Sequence, residues 1–348
     1  GYQFDKNPLR ASIVLDPIGS RKNSGDNTPA LLTVDLVPGN TVSVYVSAKG
    51  GGSENKAKFA VLNPSDSVAD WVVDTVEKLG AGWCPPGILG IGVGGSSDRA
   101  MAMAKKALND PLDMQALLKN GPQNKSEELR IEIYERVNAL GIGAQGLGGV
   151  TTVLDVKIKS FPTHAASLPV GLIPNCAATR HLHFTLDGTG VPNFETPDLA
   201  AWPEILLDEA NKNARRVDVD NLNEETLASL KIGETLLLNG TIYTGRDAAH
   251  KRIVNFLDEG KALPVNLENQ TIYYVGPVDA VGDEVIGPAG PTTSTRMDKF
   301  TDRVLGDTGL KLMIGKAERG PEAIEAIKKH KAVYAIAVGG AAYLVSKA

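Results

Sequence analysis

Residues 310–338 read LKLMIGKAERGPEAIEAIKKHKAVYAIAV, and this stretch decides the fold class. An apolar run at residues 310–314 is followed by a helical segment that begins at Pro321, and a second apolar run covers residues 332–338. A strand, a helix and another strand in this order predict an α/β unit.

The same alternation extends upstream from this stretch. We expect strands at residues 235–238, at Ile242 and at residues 271–275, and helices that begin at Asp247 and Thr292. These elements predict a C-terminal α/β domain over residues 213–348. The preceding stretch, 188–212, is irregular and contains Pro192, Pro197 and Pro203, so we interpret it as a linker.

The first part of the chain, residues 1–187, predicts a larger α/β domain with a mixed sheet. Its amphipathic helices carry buried stripes at helical spacing, and Gly80 and Gly141 end two of them. The expected strands are 12–15, 31–37, 41–47, 88–93 and 152–158, the first three as a β-meander, and the expected helices are 66–79, 97–108 and one from Ser126.

Composition excludes several classes of protein. Hydrophobic residues make up 42% and charged residues 22% of the chain, which is typical of a globular protein with an ample core. The net charge of −5 argues against a nucleic-acid surface. No apolar run approaches the ~18 residues of a membrane helix. Two cysteines in 348 residues do not form a disulfide scaffold, so we expect a cytoplasmic protein, with the mitochondrion left open.

Both cysteines lie in loops rich in proline and glycine. Cys84 stands in Gly-Trp-Cys-Pro-Pro-Gly, and Cys176 follows Leu-Ile-Pro-Asn. Turning backbone commonly presents a metal or cluster ligand, whereas two inert buried thiols are the plainer interpretation. An iron–sulfur cluster normally takes about four protein ligands, or three when one iron is open, so two thiolates do not complete one.

Each expected strand-to-helix junction of the second domain carries a cation. Arg246 follows Thr244-Gly245, Arg296 follows a Thr/Ser-rich run, and Lys316 follows Gly315. In α/β domains the carboxyl ends of strands form the ligand crevice, and helix N-termini there favour anions. The three cations therefore predict a small ligand with two or more negative groups, and solvated surface charge is the alternative.

Two glycine-dense segments interrupt the first domain. Gly50, Gly51 and Gly52 suit a loop whose backbone N–H groups approach an anion, although a plain turn has the same composition. Residues 143–149 form a second such loop, in which Gln145 is the only side chain able to hydrogen-bond.

Gly90, Gly92 and Gly95 satisfy the dinucleotide-binding pattern G-x-G-x-x-G in form. A dinucleotide site also needs a second strand that ends in an acidic residue about 20 positions on, and residues 109–111 are irregular instead. We therefore favour a tight strand-to-helix turn over a nucleotide-binding oxidoreductase. His164, in a loop before Cys176, is either a proton-transfer group or a surface histidine.

The chain contains five distinctive motifs that can be compared with known families. They are Cys84-Pro-Pro, Gly50-Gly-Gly-Ser, the segment from His164 to Cys176, Asn239-Gly-Thr-Ile-Tyr-Thr-Gly-Arg-Asp and Gly290-Pro-Thr-Thr-Ser-Thr-Arg-Met-Asp. With these motifs the chain resembles the class I, iron–sulfur-dependent fumarate hydratases, relatives of the L-tartrate dehydratases and mesaconate hydratases. The resemblance runs over the whole chain but covers about the last two-thirds of such an enzyme. A family segment with the first cluster cysteine, then Gln and Asp, has no counterpart here, nor has a short C-terminal segment.

The resemblance implies roles for individual residues. Cys84 and Cys176 would be two of three thiolate ligands of a 4Fe–4S cluster, and the missing N-terminal segment would supply the third. Thr292 matches the base that exchanges the C3 proton, unless the missing Asp is the base and Thr292 orients the substrate. His164 matches a histidine donated across a dimer. The positions that would hold a dicarboxylate are Arg10, Gly51, Gly52, Arg246, Arg296 and Lys316.

The activity that the resemblance implies is a hydro-lyase that interconverts (S)-malate and fumarate plus water, working as a homodimer with its smaller domain of the swivelling type. A mesaconate hydratase or an L-tartrate dehydratase is the alternative within the family. A chain without the N-terminal ligand could also be a non-catalytic fragment. No nucleic-acid or membrane partner is expected.

Overall fold

The computed structural model describes residues 12–192, 194, 212–280, 282–338 and 342–347. The first half contains β1 (Val42–Ala48), α1 (Gly51–Glu54), β2 (Lys58–Leu62), α2 (Val68–Leu79), β3 (Gly87–Gly94), α3 (Ser97–Ala107), α4 (Met114–Asn120), α5 (Lys125–Ala139), β4 (Val153–Phe161), β5 (Leu168–Cys176) and β6 (Arg180–Leu186). The second half contains β7 (Arg215–Asp218), α6 (Glu224–Ser229), β8 (Leu236–Asn239), β9 (Tyr243–Thr244), α7 (Asp247–Asp258), β10 (Thr271–Tyr273), α8 (Asp298–Thr308), β11 (Leu312–Gly315), α9 (Pro321–Lys329), β12 (Val333–Ile336) and α10 (Ala342–Lys347).

A four-stranded mixed sheet organises the first half. Its strand order is β2-β5-β3-β4, in which β3 runs parallel to β4 and antiparallel to β5, and β2 is antiparallel to β5. β1 and β6 form a separate antiparallel ribbon. The α/β class with a mixed sheet, expected from the sequence, is therefore confirmed.

Helices cover both faces of the mixed sheet because successive residues of β3 point to opposite sides. Leu89 and Ile91 are fully buried in a core that also contains side chains of α2 and α5. Gly90 and Gly92 face α3, where an added Cβ at Gly92 would lie 2.0 Å from the carbonyl oxygen of Ala100. These glycines therefore pack a helix tightly against a strand, as expected.

The second half is built on a fully parallel sheet of order β12-β11-β10-β9. Alternate residues of β11 fill two cores: Leu312 and Ile314 pack against residues around β7 and β8, whereas Met313 packs with side chains of α8. In this parallel register Thr244, Tyr273 and Gly315 end their strands at the same edge. The alternation of strands and helices expected here is confirmed.

The expected β-meander is wrong for two of its three segments. Residues 31–37 form no strand, and near residues 12–15 the only pairing is an isolated bridge between Val14 and Asn23. Alternating apolar residues form a strand only where a partner strand offers hydrogen bonds, and no described segment pairs with residues 31–37. Only the third segment, β1, is a strand.

Two further elements differ from expectation. Gly51 and Gly52 form part of the single helical turn α1 rather than a loop. The helix expected from Thr292 begins later, with a 3₁₀ turn at Ser294–Met297 that leads into α8. Thr292 stays outside the helix because its N–H donates to the carbonyl of Tyr274, at 2.6 Å, and its carbonyl accepts from the N–H of Lys316.

Two predictions fall mostly or wholly outside the described residues: the linker at 188–212, of which only 188–192, 194 and 212 are described, and Arg10. None of the helices in the described parts of the chain is both long enough and apolar enough to cross a membrane.

Candidate functional site

Cys84 and Cys176 lie side by side although 92 positions separate them in the chain. Cys176 is the last residue of β5 and pairs with Gly87 at the start of β3, three residues after Cys84. Gly87 allows this close approach, because an added Cβ there would lie 2.1 Å from the carbonyl oxygen of Asn175. The two thiols hydrogen-bond to each other. The sheet register therefore brings together both cysteines that the sequence singled out.

The pKa values of the two thiols are shifted in opposite directions. The hydrogen bond from Cys84 lowers the pKa of Cys176 to about 5. Burial opposes this shift, whereas the backbone N–H of Ala178 and the charges of Lys316 and Lys49 reinforce it. The same hydrogen bond, together with burial, raises the pKa of Cys84. Cys176 therefore loses its proton more readily than Cys84.

Lys316 connects the two halves of the chain at this site. Its Nζ donates a hydrogen bond to the Sγ of Cys84, from the loop that follows β11. An added Cβ at Gly52 would lie 3.5 Å from the same Nζ. The backbone of Thr292 accepts from the N–H of Lys316 at 3.3 Å. Cys84, Cys176, Gly52, Thr292 and Lys316 thus form one cluster, and Gly51 is the exposed neighbour of Gly52 on α1.

Lys49 is a second cation at this site that the sequence analysis missed. Its Nζ lies 3.0 Å from a carboxylate oxygen of Glu54 and 3.0 Å from the Oγ of Ser53, and Ser53 donates to the carbonyl of Gly50. Lys49 therefore holds the glycine turn and adds positive charge near Cys176. Its position directly before the three glycines was the available signal.

The two arginines lie at the same sheet edge as Lys316, in different environments. Arg296 is exposed and forms a bidentate pair with Asp247, with distances of 2.9 and 2.6 Å. Arg246 is half-buried and precedes α7. Its carbonyl accepts from the backbone N–H and from the Nδ1 of His250, at 2.9 and 3.0 Å. His250 thus fixes the backbone from which the Arg246 side chain projects.

His164 lies at the other end of the mixed sheet. It is exposed in the loop between β4 and β5, beside the last residues of β3. The cysteines flank the first residue of β3, and a strand of eight residues spans roughly 25 Å. Within one chain the structure therefore does not bring His164 to the thiol pair. It lines a cavity of about 580 Å³ together with Arg99, Phe161 and Thr163.

The donor set fits part of a ligand set for a soft metal. Two adjacent thiols, one buried and one half-buried, suit iron–sulfur clusters, zinc or copper(I) better than hard cations. Among the described residues no group of three or more His, Cys, Asp or Glu side chains is arranged to hold a metal, and the sequence has two cysteines. The pair fits a 4Fe–4S cluster as two of its ligands and leaves at least one ligand to come from elsewhere.

A pair of neighbouring thiols thus lies where the two halves of the chain meet, with Lys316 and Lys49 beside it. A family model described as fumarate hydratase (Fumerase) matches residues 1–185, and one described as fumarase C-terminus matches residues 188–348. The chain belongs to the fumarate hydratase family.

Individual relatives support this assignment. The aerobic class I fumarate hydratase of Salmonella typhimurium is 32% identical over 93% of this chain and 58% of its own length. Fumarate hydratase 2 of Leishmania major is 32% identical over 93% of this chain and 59% of its own length. A provisionally named L(+)-tartrate dehydratase subunit alpha of Methanocaldococcus jannaschii is 38% identical over 50% of this chain and 61% of its own length. The chain spans about three fifths of the length of these curated relatives.

Proposed function

We propose that the protein is a hydro-lyase that interconverts (S)-malate and fumarate plus water. The observation that supports this proposal is the convergence of the thiols of Cys84 and Cys176 with the ammonium of Lys316. In the proposal the thiols are cluster ligands and Lys316 binds a substrate carboxylate. Family membership and relatives named as fumarate hydratases support it.

In this proposal Cys84 and Cys176 are two thiolate ligands of a 4Fe–4S cluster, and a cysteine outside the present sequence is the third. Such a cluster, when bound with one iron open, supplies a Lewis acid for the hydroxyl oxygen that leaves malate. Metal ligands must be deprotonated, so cluster binding would release any proton that Cys84 holds. Lys316, which donates to Cys84 in the free pair, becomes available to the substrate.

The substrate carboxylates are assigned to the cations at the sheet edge. Lys316, Arg246 and Arg296 would neutralise the charge that grows on the substrate when the C3 proton leaves. The guanidinium of Arg296 would then bind the substrate carboxylate while it also donates to Asp247. Gly51 and Gly52 leave room beside Lys316 because they carry no side chain, and Arg10 would contribute from the N-terminal stretch.

Dehydration removes the C3 proton and the C2 hydroxyl group of malate, and together they leave as water while the C2–C3 double bond forms. We assign the proton transfer to Thr292, which is buried beside the backbone of Lys316. A hydroxyl group is a poor base, so an acidic residue from outside this sequence is the alternative, with Thr292 orienting the substrate.

His164 requires a second copy of the chain. Since it lies at the sheet end remote from the thiols, it would act at the site of a partner in a homodimer. We also propose two domains, residues 1–187 and 213–348, the second of the swivelling type, joined at 188–212, with substrate bound near the partner. The two free thiols favour a reducing compartment, the cytoplasm or the mitochondrion.

L-tartrate is a second candidate substrate, because the tartrate dehydratase subunit has the higher identity. Its match covers half of this chain, whereas the fumarate hydratases match 93%, and this favours malate.

Substrate choice is tested by steady-state kinetics of the full-length protein, purified anaerobically and reconstituted with iron and sulfide. We expect kcat/KM for (S)-malate to exceed the values for L-tartrate and for the hydrate of mesaconate by at least about tenfold. A higher kcat/KM for tartrate or for the mesaconate hydrate would replace malate as the substrate and retain the hydro-lyase class.

A further inference from the structure

The carbonyl of Pro85, the residue after Cys84, is held by one residue from a distant loop. The backbone N–H of Gln145 donates to this carbonyl at 2.7 Å, and its side-chain Nε2 donates to the same oxygen at 2.8 Å. Gln145 is 7% exposed, so both bonds lie away from water. Gln145 thereby holds the turn that contains Cys84 with two hydrogen bonds.

Both ends of this contact have unusual backbone conformations. Cys84 has a φ of 65° and Gln145 a φ of 56°, in the left-handed region that residues other than glycine rarely adopt. Such conformations persist where the surroundings hold them. Around Cys84 the described contacts are the N–H bond to Ala81, the thiol contacts, and the grip on Pro85.

The glycines around Gln145 let its loop reach the cysteine turn. An added Cβ at Gly146 would lie 2.6 Å from the Cβ of Ala81, and one at Gly143 would lie 2.0 Å from the carbonyl oxygen of Gly148. The loop also folds back on itself, because Gly148 donates to the carbonyl of Ile142 at 3.0 Å. Gly146 is therefore needed for close packing onto the cysteine turn, and Gly143 for the close approach within the loop itself.

We propose that Gln145 is a positioning residue for Cys84: it clamps Pro85 and so directs the Cys84 sulfur toward Cys176. This inference rests on the proposed function for its consequence, which is retention of the cluster, but the clamp itself concerns the protein alone. Gln145 acts on Cys84 through the backbone of Pro85.

The first test uses Gln145→Met, which keeps the length of the side chain and the backbone bond but removes the Nε2 donor. In the metal-free chain we measure the rate at which a thiol reagent modifies Cys84, located by peptide mass spectrometry. Loss of one buried hydrogen bond should accelerate modification of Cys84 roughly tenfold. Gln115→Leu, at an exposed glutamine on α4, should leave the rate unchanged.

A merely structural role is separated by Asn138→Ala. Asn138 holds the other side of the same loop, where its side chain accepts from the N–H groups of Thr152 and Val153 at 2.7 and 2.9 Å. This variant should lower the melting temperature without exposing Cys84. Equal acceleration in both variants, or no acceleration in Gln145→Met, would overturn the clamp. If Gln145→Met does not fold, Gln145→Glu keeps the shape and is tested in the same way.

The second test uses the full-length reconstituted protein. Gln145→Met should lose iron to a chelator roughly tenfold faster than the unmodified protein. Its kcat should fall in proportion to cluster content, while KM stays unchanged. If Gln145→Met makes Cys84 more reactive but loses iron at the same rate as the unmodified protein, the proposed effect on the cluster is refuted. If the unmodified protein binds no cluster, the proposed function fails, and the thiol measurement still decides the clamp.

Discussion

The two ends of strand β3 differ in how many contacts within the same chain surround the candidate site residues there. Near its first residue lie one buried and one half-buried thiol, two lysines, a left-handed turn and the clamp from Gln145. At its last residues His164 stands exposed, and its Nδ1 accepts only from the N–H of Ala166 among the described contacts. One end is organised by contacts within the chain, and the other end presents its histidine outward.

In the proposed function, the two ends of β3 have different roles. An end that is held by many hydrogen bonds suits metal ligands that must not move. An exposed histidine with few contacts in its own chain suits a group that acts on another copy. Changes at the thiol end should therefore abolish the site, and changes at the His164 end should weaken turnover without disturbing it.

The largest effect is expected from Cys176→Ser in the full-length protein. A serine oxygen replaces the sulfur that carries the thiolate charge, so iron per chain should fall to about a tenth or less. Iron and sulfide analysis with visible absorption measures this loss. Thr179→Ser, three residues further on, is the control. Unchanged iron content in Cys176→Ser would refute ligation.

Arg296→Ala comes next and should abolish turnover while the fold stays intact. Removing one cation from the developing negative charge costs about 10²- to 10³-fold in kcat. Its exposed pair with Asp247 contributes about 0–1 kcal/mol to stability, so the melting temperature should change little.

Arg303→Ala, which also breaks exposed pairs with aspartates, is the matched control for Arg296. It should retain full activity. A loss smaller than about tenfold, or ~1.4 kcal/mol, in Arg296→Ala would remove that residue from the site.

His164→Asn should reduce kcat by about 10²-fold and leave the cluster absorption unchanged, because proton transfer by a positioned histidine contributes on that scale. The control is His330→Asn, at a histidine paired with Asp302 on another surface. Mixing His164→Asn with an inactive Arg296→Ala chain should restore part of the activity, since a hybrid dimer contains one intact site. Normal kinetics in His164→Asn would assign that histidine to the surface.

The smallest effect concerns His250 and pH. Burial lowers the pKa of His250 below its ordinary 6.5, so the folded state favours the neutral ring. Around it, Asp247 opposes the shift, Arg319 reinforces it, and the rings of Tyr274 and Phe300 pack against the imidazole.

The folded pKa of His250 lies below the unfolded one, so its contribution is present above about pH 6.5 and is lost as pH falls below that value. The slope is at most about 1.4 kcal/mol per pH unit. Denaturant unfolding of the unmodified chain and of His250→Gln should therefore differ less at pH 5 than at pH 7.5. A difference that grows toward pH 5 would contradict the assignment.

Local pattern predicted much of the fold because its causes are local. The valine spacing in α2 marks a buried stripe, and Gly80 marks the end of that helix. Residues 31–37 show the limit: the same alternation that predicts a strand says nothing about whether a partner strand is available. Thr292 shows another limit, since its place outside the helix depends on backbone hydrogen bonds with Tyr274 and Lys316.

The sequence singled out residues of the candidate site but did not predict the contacts between them. Pro/Gly-rich surroundings singled out Cys84 and Cys176, and the strand-to-helix junctions singled out Lys316. The bond between Lys316 and Cys84 spans 232 positions, and no local pattern encodes it. Gln145 was visible as the polar residue of its loop, but its target, Pro85, is set by packing in three dimensions.

The most direct measurement follows malate and the cluster together. The full-length protein is reconstituted anaerobically, the ultraviolet absorption of fumarate is recorded after malate is added, and the visible absorption of the cluster is recorded in the same cuvette. The account predicts that fumarate forms without oxygen and that turnover and cluster absorption are lost together on exposure to air. Fumarate formation by protein that contains no iron would contradict the role assigned to Cys84 and Cys176.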